Sequence, residues 1–231
     1  MLVERIVDIE RVLRQVEIFR TLDEQQLRKV GELVRPKFFN EGASLFDQGD
    51  RGDCLYIITS GYVRIYLLSA DGREITFRVY GPGTTVGEFA VLDGKERSAG
   101  ALAVTSVRTL VIYRDQFRAL ITKNIEVLLR VVEVLTERLR YTTIFSQNLA
   151  FLGASGRVAV ALNQLANTTY PGKAGPVTLK ITQRELASYA GVSREWTNHA
   201  LRDFAAEGII RIERGAITIL DRNRLALWAD V

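Results

Sequence analysis

Residues 86–99 read Val86-Gly87-Glu88-Phe89-Ala90-Val91-Leu92-Asp93-Gly94-Lys95-Glu96-Arg97-Ser98-Ala99. Gly87 permits a sharp entry, and residues 88–91 can then make one helical turn whose free amides face an anion. Arg97 and Ser98 return the chain to the same point, and an Arg fork beside backbone amides makes a cradle for one phosphate-like charge. Glu88 would repel that charge unless it accepts a hydroxyl, for which a ribose 2′-OH is the natural donor. The stretch therefore predicts an anionic-ligand pocket built from Gly87, Glu88, Phe89, Ala90, Arg97, Ser98 and Ala99.

Around it the texture is that of short antiparallel strands. Runs of β-formers at 55–58, 62–67, 75–79 and 104–112 are punctuated by ten glycines between Gly42 and Gly100, and Asp71-Gly72 is the clearest hairpin turn. A β-sandwich or jelly-roll barrel is the expected product. Before it, residues 6–33 carry apolar positions at helical spacing, with Thr21-x-x-Glu24 predicted as a capping box that restarts a helix. After it, residues 125–149 contain no Gly and no Pro. Leu128, Leu135, Thr142 and Leu149 recur every seven residues, as do Val132, Leu139 and Ser146, which is the two-column seam of a coiled coil. With no second heptad helix in the chain, a parallel homodimer is the economical partner; packing of the helix on its own barrel is the alternative. Thr142 and Ser146 break the seam, either to specify register or to receive something polar.

A second unit follows a hinge predicted at 150–156, with Gly153, Gly156 and the loop 170–176 marking joints. Helix patterns at 158–165, 182–189 and 194–206 precede a hairpin at 209–219 that turns at Arg214-Gly215. Thr182-x-x-Glu185 caps one helix, Gly191-Val192-Ser193 is a three-residue turn, and Ser193 can cap the next, so this is a helix-turn-helix with the hairpin as its wing. In such a motif Arg194, Glu195, Asn198 and His199 face base edges, whereas Lys180, Thr182, Gln183 and Ser193 are placed for phosphates. His199 is equally readable as a surface or packing residue. After Leu149 there are ten Lys and Arg against seven Asp and Glu, so the motif and not bulk charge carries the DNA reading.

Composition narrows the class. The 231 residues hold 31 Lys and Arg and 27 Asp and Glu, a formal net charge of +4, at 47 % hydrophobic, which suits an ordinary globular chain. Cys54 and His199 are the only residues of their types, so an intrachain disulfide, a four-ligand zinc site and an iron–sulfur site are excluded. No apolar run is long enough for a spanning helix, and the acid-bearing start is unlike a secretory signal, so no membrane role and a cytoplasmic home are expected. No nucleophile–base pair suggests catalysis, and neither a catalytic residue nor a metal site is assigned.

The run GEFAVLDGKERSA resembles the phosphate-binding cassette of cyclic-nucleotide-binding domains, while LTERLRYTTIFSQNLAFL and ITQRELASYAGVSREWTNHALRDF resemble the central helix and helix-turn-helix of the cyclic-AMP receptor protein (catabolite activator)/fumarate-nitrate regulator family of bacterial transcription factors. The likeness spans nearly the whole chain in the right order. It implies an α+β chain with an N-terminal β-roll (jelly-roll) cyclic-nucleotide-binding domain at 1–122, a dimerisation helix and hinge at 123–152, and a C-terminal winged helix-turn-helix at 153–231. It further implies that Arg138 lies near the pocket, and that Thr142 and Thr143 reach the adenine of cyclic AMP, one from each subunit. The implied partners are a palindromic double-stranded operator, a second copy of the chain and RNA polymerase, the last through the loop 170–176. His199 stands where the best-studied members carry Arg, and Asn198 where they carry a small residue. The cassette is one residue shorter than in the enteric receptor. A same-fold regulator that answers cyclic GMP or cyclic di-GMP, or binds DNA without ligand, is the alternative. One Cys and one His cannot furnish the cysteine cluster of oxygen-sensing relatives or the axial ligands of haem-based ones.

Overall fold

A computed structural model describes residues 9–170 and 172–229. Ile6 and Pro171, within the predicted N-terminal helices and the 170–176 loop, lie outside the described residues. Two compact units emerge, residues 1–72 with 77–141, and residues 73–76 with 142–231.

The chain holds two four-stranded sheets, whose residues belong to the first unit except 74–76 at the start of β5. One comprises β1 (Arg35–Phe39), β3 (Cys54–Ser60), β6 (Thr85–Val86) and β8 (Val107–Tyr113), in the spatial order β1-β8-β3-β6. The other comprises β2 (Ser44–Phe46), β4 (Val63–Leu68), β5 (Glu74–Tyr80) and β7 (Gly100–Ala103), in the order β2-β7-β4-β5. Strand β3 explains how the layers hold. Five consecutive residues, Cys54 to Ile58, are buried, because successive side chains leave opposite faces of a strand. Leu55 and Ile57 enter a core shared with Phe19, Leu27, Phe117, Val127 and Val131. Tyr56 and Ile58 enter a core between the sheets with Phe39, Val63, Ala101 and Val111. β3 is thus covered by helices on one side and by the other sheet on its other side.

Several local expectations shift. The predicted run at 104–112 starts three residues early: 104–106 form the turn after β7, in which the Val104 N–H donates to the Tyr62 carbonyl (2.9 Å), and the strand β8 begins at Val107. The N-terminal capping box is not Thr21/Glu24. Asp23 accepts from the Gln26 N–H at 2.8 Å and the Gln26 side chain accepts from the Asp23 N–H at 2.9 Å, starting helix Glu24–Leu33. A carboxylate two residues on is the stronger cap, and Glu24 becomes the first helical residue.

The long helix spans Ile125–Phe151, about 40 Å at 1.5 Å per residue. Val127, Val131 and Arg138 face its own domain, and Leu135 packs against that same core, so the column 128/135 turns partly inward. The outward apolar stripe runs through Ile125, Leu129, Val132 and Leu139, each at least half exposed. Only the 132/139 column of the predicted seam lies on it.

In the second unit, helix Ala154–Thr169 begins shortly after the long helix ends. Gly156 is no joint: it lies inside that helix, where a Cβ would sit 2.9 Å from the Trp228 carbonyl oxygen. Helices Gln183–Ala190 and Arg194–Ala206 meet at Gly191, whose φ of 62° suits glycine. The wing is three-stranded, built from β9 (Val177–Leu179), β10 (Ile210–Glu213) and β11 (Ala216–Ile219) with β11 in the middle, and it turns at Gly215. A final helix, Arg222–Leu227, closes the core of Leu162, Leu186, Leu201 and Phe204.

Candidate ligand pocket and nucleic-acid interface

Gly87 adopts φ 85° and starts the six-residue helix Glu88–Asp93, which Gly94 ends at φ 81°. A side chain at Gly87 would strike the Arg97 guanidinium at 2.4 Å, so glycine is required there for both conformation and space. Arg97 is 4 % exposed. Its two terminal nitrogens donate to the Gly87 and Cys54 carbonyls, each at 2.6 Å, and its plane lies 4.2 Å from the Phe46 ring centroid. Among the described residues no carboxylate pairs with it, and its Nε–H, also buried, has no acceptor. A buried cation held only by neutral dipoles is an unfinished electrostatic arrangement.

Glu88 is equally buried, 4 % exposed, and Arg138 pairs with its Oε1. Arg138 reaches in from the long helix, donates also to the Thr85 carbonyl at 2.6 Å, and stacks 4.9 Å from the Tyr80 ring centroid. The other carboxylate oxygen, Glu88 Oε2, is buried with no donor among the described residues. One wall therefore offers a spare N–H on a cation and another a spare acceptor on an acid, chemistry that matches an anion attached to a hydroxyl-bearing group.

Of the residues expected in the pocket, Gly87, Glu88, Arg97 and Arg138 make these contacts. Phe89 and Ser98 are exposed, Ala90 is buried and Ala99 half-buried. Thr142 and Thr143 lie on the long helix in the second unit, both exposed. Phe46, Cys54, Tyr80 and Thr85 come from separate strands and had no local sequence signal. Burial pushes the Cys54 thiol above its usual range, so the group facing Arg97 is neutral.

In the second unit the Thr182 and Ser193 hydroxyls are both used as caps. Thr182 Oγ1 accepts from the Glu185 N–H at 3.2 Å while the Glu185 carboxylate accepts from the Thr182 N–H at 2.7 Å. Ser193 Oγ accepts from the Trp196 N–H at 3.3 Å. Arg194, Glu195 and His199 are exposed on the second helix, and His199 Nδ1 lies 3.0 Å from Asp203. Hydrogen bonding to its own backbone N–H and to Ser193 holds the Glu195 carboxyl below the usual range, which keeps it an acceptor. Asn198 is half-buried, and its Oδ1 is covered with no donor among the described residues. Lys180 is exposed and Gln183 half-buried. An open cleft between this helix and the wing is lined by Thr182, Gln183, Arg184, Arg194, Glu213 and Arg214, three cations against one acid, a balance that suits a phosphate-facing groove. Trp196, 58 % exposed, is the feature of this face that pattern reading passed over.

Comparison with known proteins agrees with both halves. Residues 36–124 match the cyclic nucleotide-binding domain family and residues 156–228 the Crp-like helix-turn-helix domain family. The chain is 37 % identical over 220 residues to the CRP-like cAMP-activated global transcriptional regulator of Mycobacterium tuberculosis, covering 94 % of this chain and 98 % of that one. It is 33 % identical to the cyclic AMP receptor protein of Thermus thermophilus, covering 87 % and 91 %. A solved transcriptional regulator of the CRP/FNR family, also from Thermus thermophilus, superposes with a TM-score of 0.73 at 30 % identity, covering 85 % of this chain and 99 % of that one. With a cyclic-nucleotide-binding half and a DNA-binding half in this order, the chain belongs to the CRP/FNR family of transcription regulators and is not an enzyme.

Proposed function

We propose that the chain is a cyclic-AMP-responsive, sequence-specific regulator acting as a homodimer on a palindromic operator. The observation that carries the ligand reading is the buried Arg97, with no carboxylate partner among the described residues, beside the unmatched Glu88 oxygen. Arg97, Ser98 and the amides at Phe89 and Ala90 take the cyclic phosphate, and Glu88 the ribose 2′-OH, with Gly87 and Ala99 giving room. Arg138 orients Glu88, and Thr142 and Thr143 take the adenine. Arg194, Glu195, Asn198 and His199 read bases, while Lys180, Thr182, Gln183 and Ser193 hold phosphates. The cytoplasm and contact with RNA polymerase follow from the same reading.

The exposed apolar stripe on the long helix supports the dimer, which would set two recognition helices on half-sites roughly 34 Å apart. Ligand and operator must then strengthen each other's binding by the same factor. Calorimetric titration of cyclic AMP into the full chain, with and without a selected duplex, tests this; equal affinities overturn the allosteric reading. Arg97→Ala is expected to lose about 2–5 kcal/mol of cyclic AMP affinity, the cost of removing one partner from a buried charge pair. Normal binding by that variant overturns the cradle, and tighter binding of cyclic GMP or cyclic di-GMP reassigns the effector.

A further inference from the structure

We infer that Trp196 reads a thymine 5-methyl group and so adds a base preference to the recognition helix, an inference that rests on the DNA-reading role proposed above. Helix Arg194–Ala206 buries Thr197, Ala200, Leu201 and Phe204, and Trp196 takes no part in that core. Its indole is 58 % exposed, unlike Trp228, which packs edge-on against Phe204 at 5.0 Å. It shares the solvent-facing side of the helix with His199, one turn on, whose ring lies 5.8 Å away. The backbone N–H of Trp196, donated to Ser193 Oγ, fixes the first turn that carries it.

An exposed indole presents the largest apolar surface a side chain can offer, with one N–H donor. Its neighbours Arg194, Glu195 and His199 supply donors and acceptors for the polar atoms of base edges. None of them matches the one apolar group in the major groove, the methyl of thymine. The third residue of a recognition helix lies among those that approach base edges, so the indole and the methyl are complementary in chemistry and in place.

The test uses the full chain with cyclic AMP present. A duplex selected from a randomised pool is rebuilt with deoxyuridine at each thymine in turn, which removes the methyl and leaves every hydrogen-bonding group. Burial of one methyl predicts a weakening of about fourfold at one thymine position of the half-site. Trp196→Ala is expected to be indifferent to deoxyuridine there and to accept any base at that position, whereas Trp196→Phe keeps part of the preference. Identical deoxyuridine profiles for the wild type and Trp196→Ala overturn the inference, as does a uniform loss on all duplexes, which would mean a groove-wall contact. If no sequence is selected at all, the base-reading role falls with it; selection with full tolerance of deoxyuridine removes the thymine contact alone.

Discussion

At Gly52 a single added carbon would meet the Ala90 Cβ at 2.2 Å and the Arg97 Nε at 3.1 Å. The loop carrying Gly52 therefore closes directly over the cradle. The Gly52 carbonyl also accepts from Arg114 at 2.6 Å, and the same guanidinium donates to the Ala90 carbonyl at 2.8 Å. The Ala90 Cβ is fixed to its helix and has no flexible end to yield, so Gly52→Ala is expected to cost about 1–3 kcal/mol, as overpacking does. Urea unfolding followed by far-ultraviolet dichroism measures it, and an unchanged midpoint would mean that the loop moves away freely. Legibility at this scale divided by sequence distance. Glu88 and Arg97 were readable because their spacing through Gly87 and Gly94 is local. Gly52, Phe46 and Cys54 reach the same point through strand pairing, which no short-range pattern encodes.

Caps decide where the helices begin, and their chemistry is testable one residue at a time. The Thr182/Glu185 box satisfies two amides that would otherwise be open at the start of helix Gln183–Ala190. Thr182→Ala is expected to lower the stability of the second unit by about 1 kcal/mol, read by thermal unfolding. No measurable loss would show that Glu185 alone suffices. Long periodic elements were legible: helix Arg194–Ala206 begins and ends where Ser193 and its apolar spacing predict. The shortest strands were not. β2, β6 and β9 contain too few residues to show alternation, and β1 is disguised by its exposed residues Arg35 to Phe38. Their existence depends on a partner strand already being in place.

For the molecule as a whole, the long helix sets what can assemble. Leu129 and Val132 are 56 % and 50 % exposed, and their spacing puts them one turn apart on the same face. On the dimer reading, the wild type is expected at the mass of two chains in light scattering after size exclusion, and a Leu129→Lys, Val132→Lys double variant at the mass of one. A variant that stays dimeric would move the interface elsewhere. The heptad was visible in sequence, but which column faces outward was not, because Leu135 satisfies both a seam and a domain core. Strand β3 carries a separate consequence. The Cys54 carbonyl that holds Arg97 belongs to a strand covered on both faces. Parting that strand from its neighbours would expose two cores together, so its local opening free energy approaches that of unfolding the whole domain. On the ligand reading proposed above, the base of the cradle is thus a fixed wall, and a guest would be admitted by the loops around it.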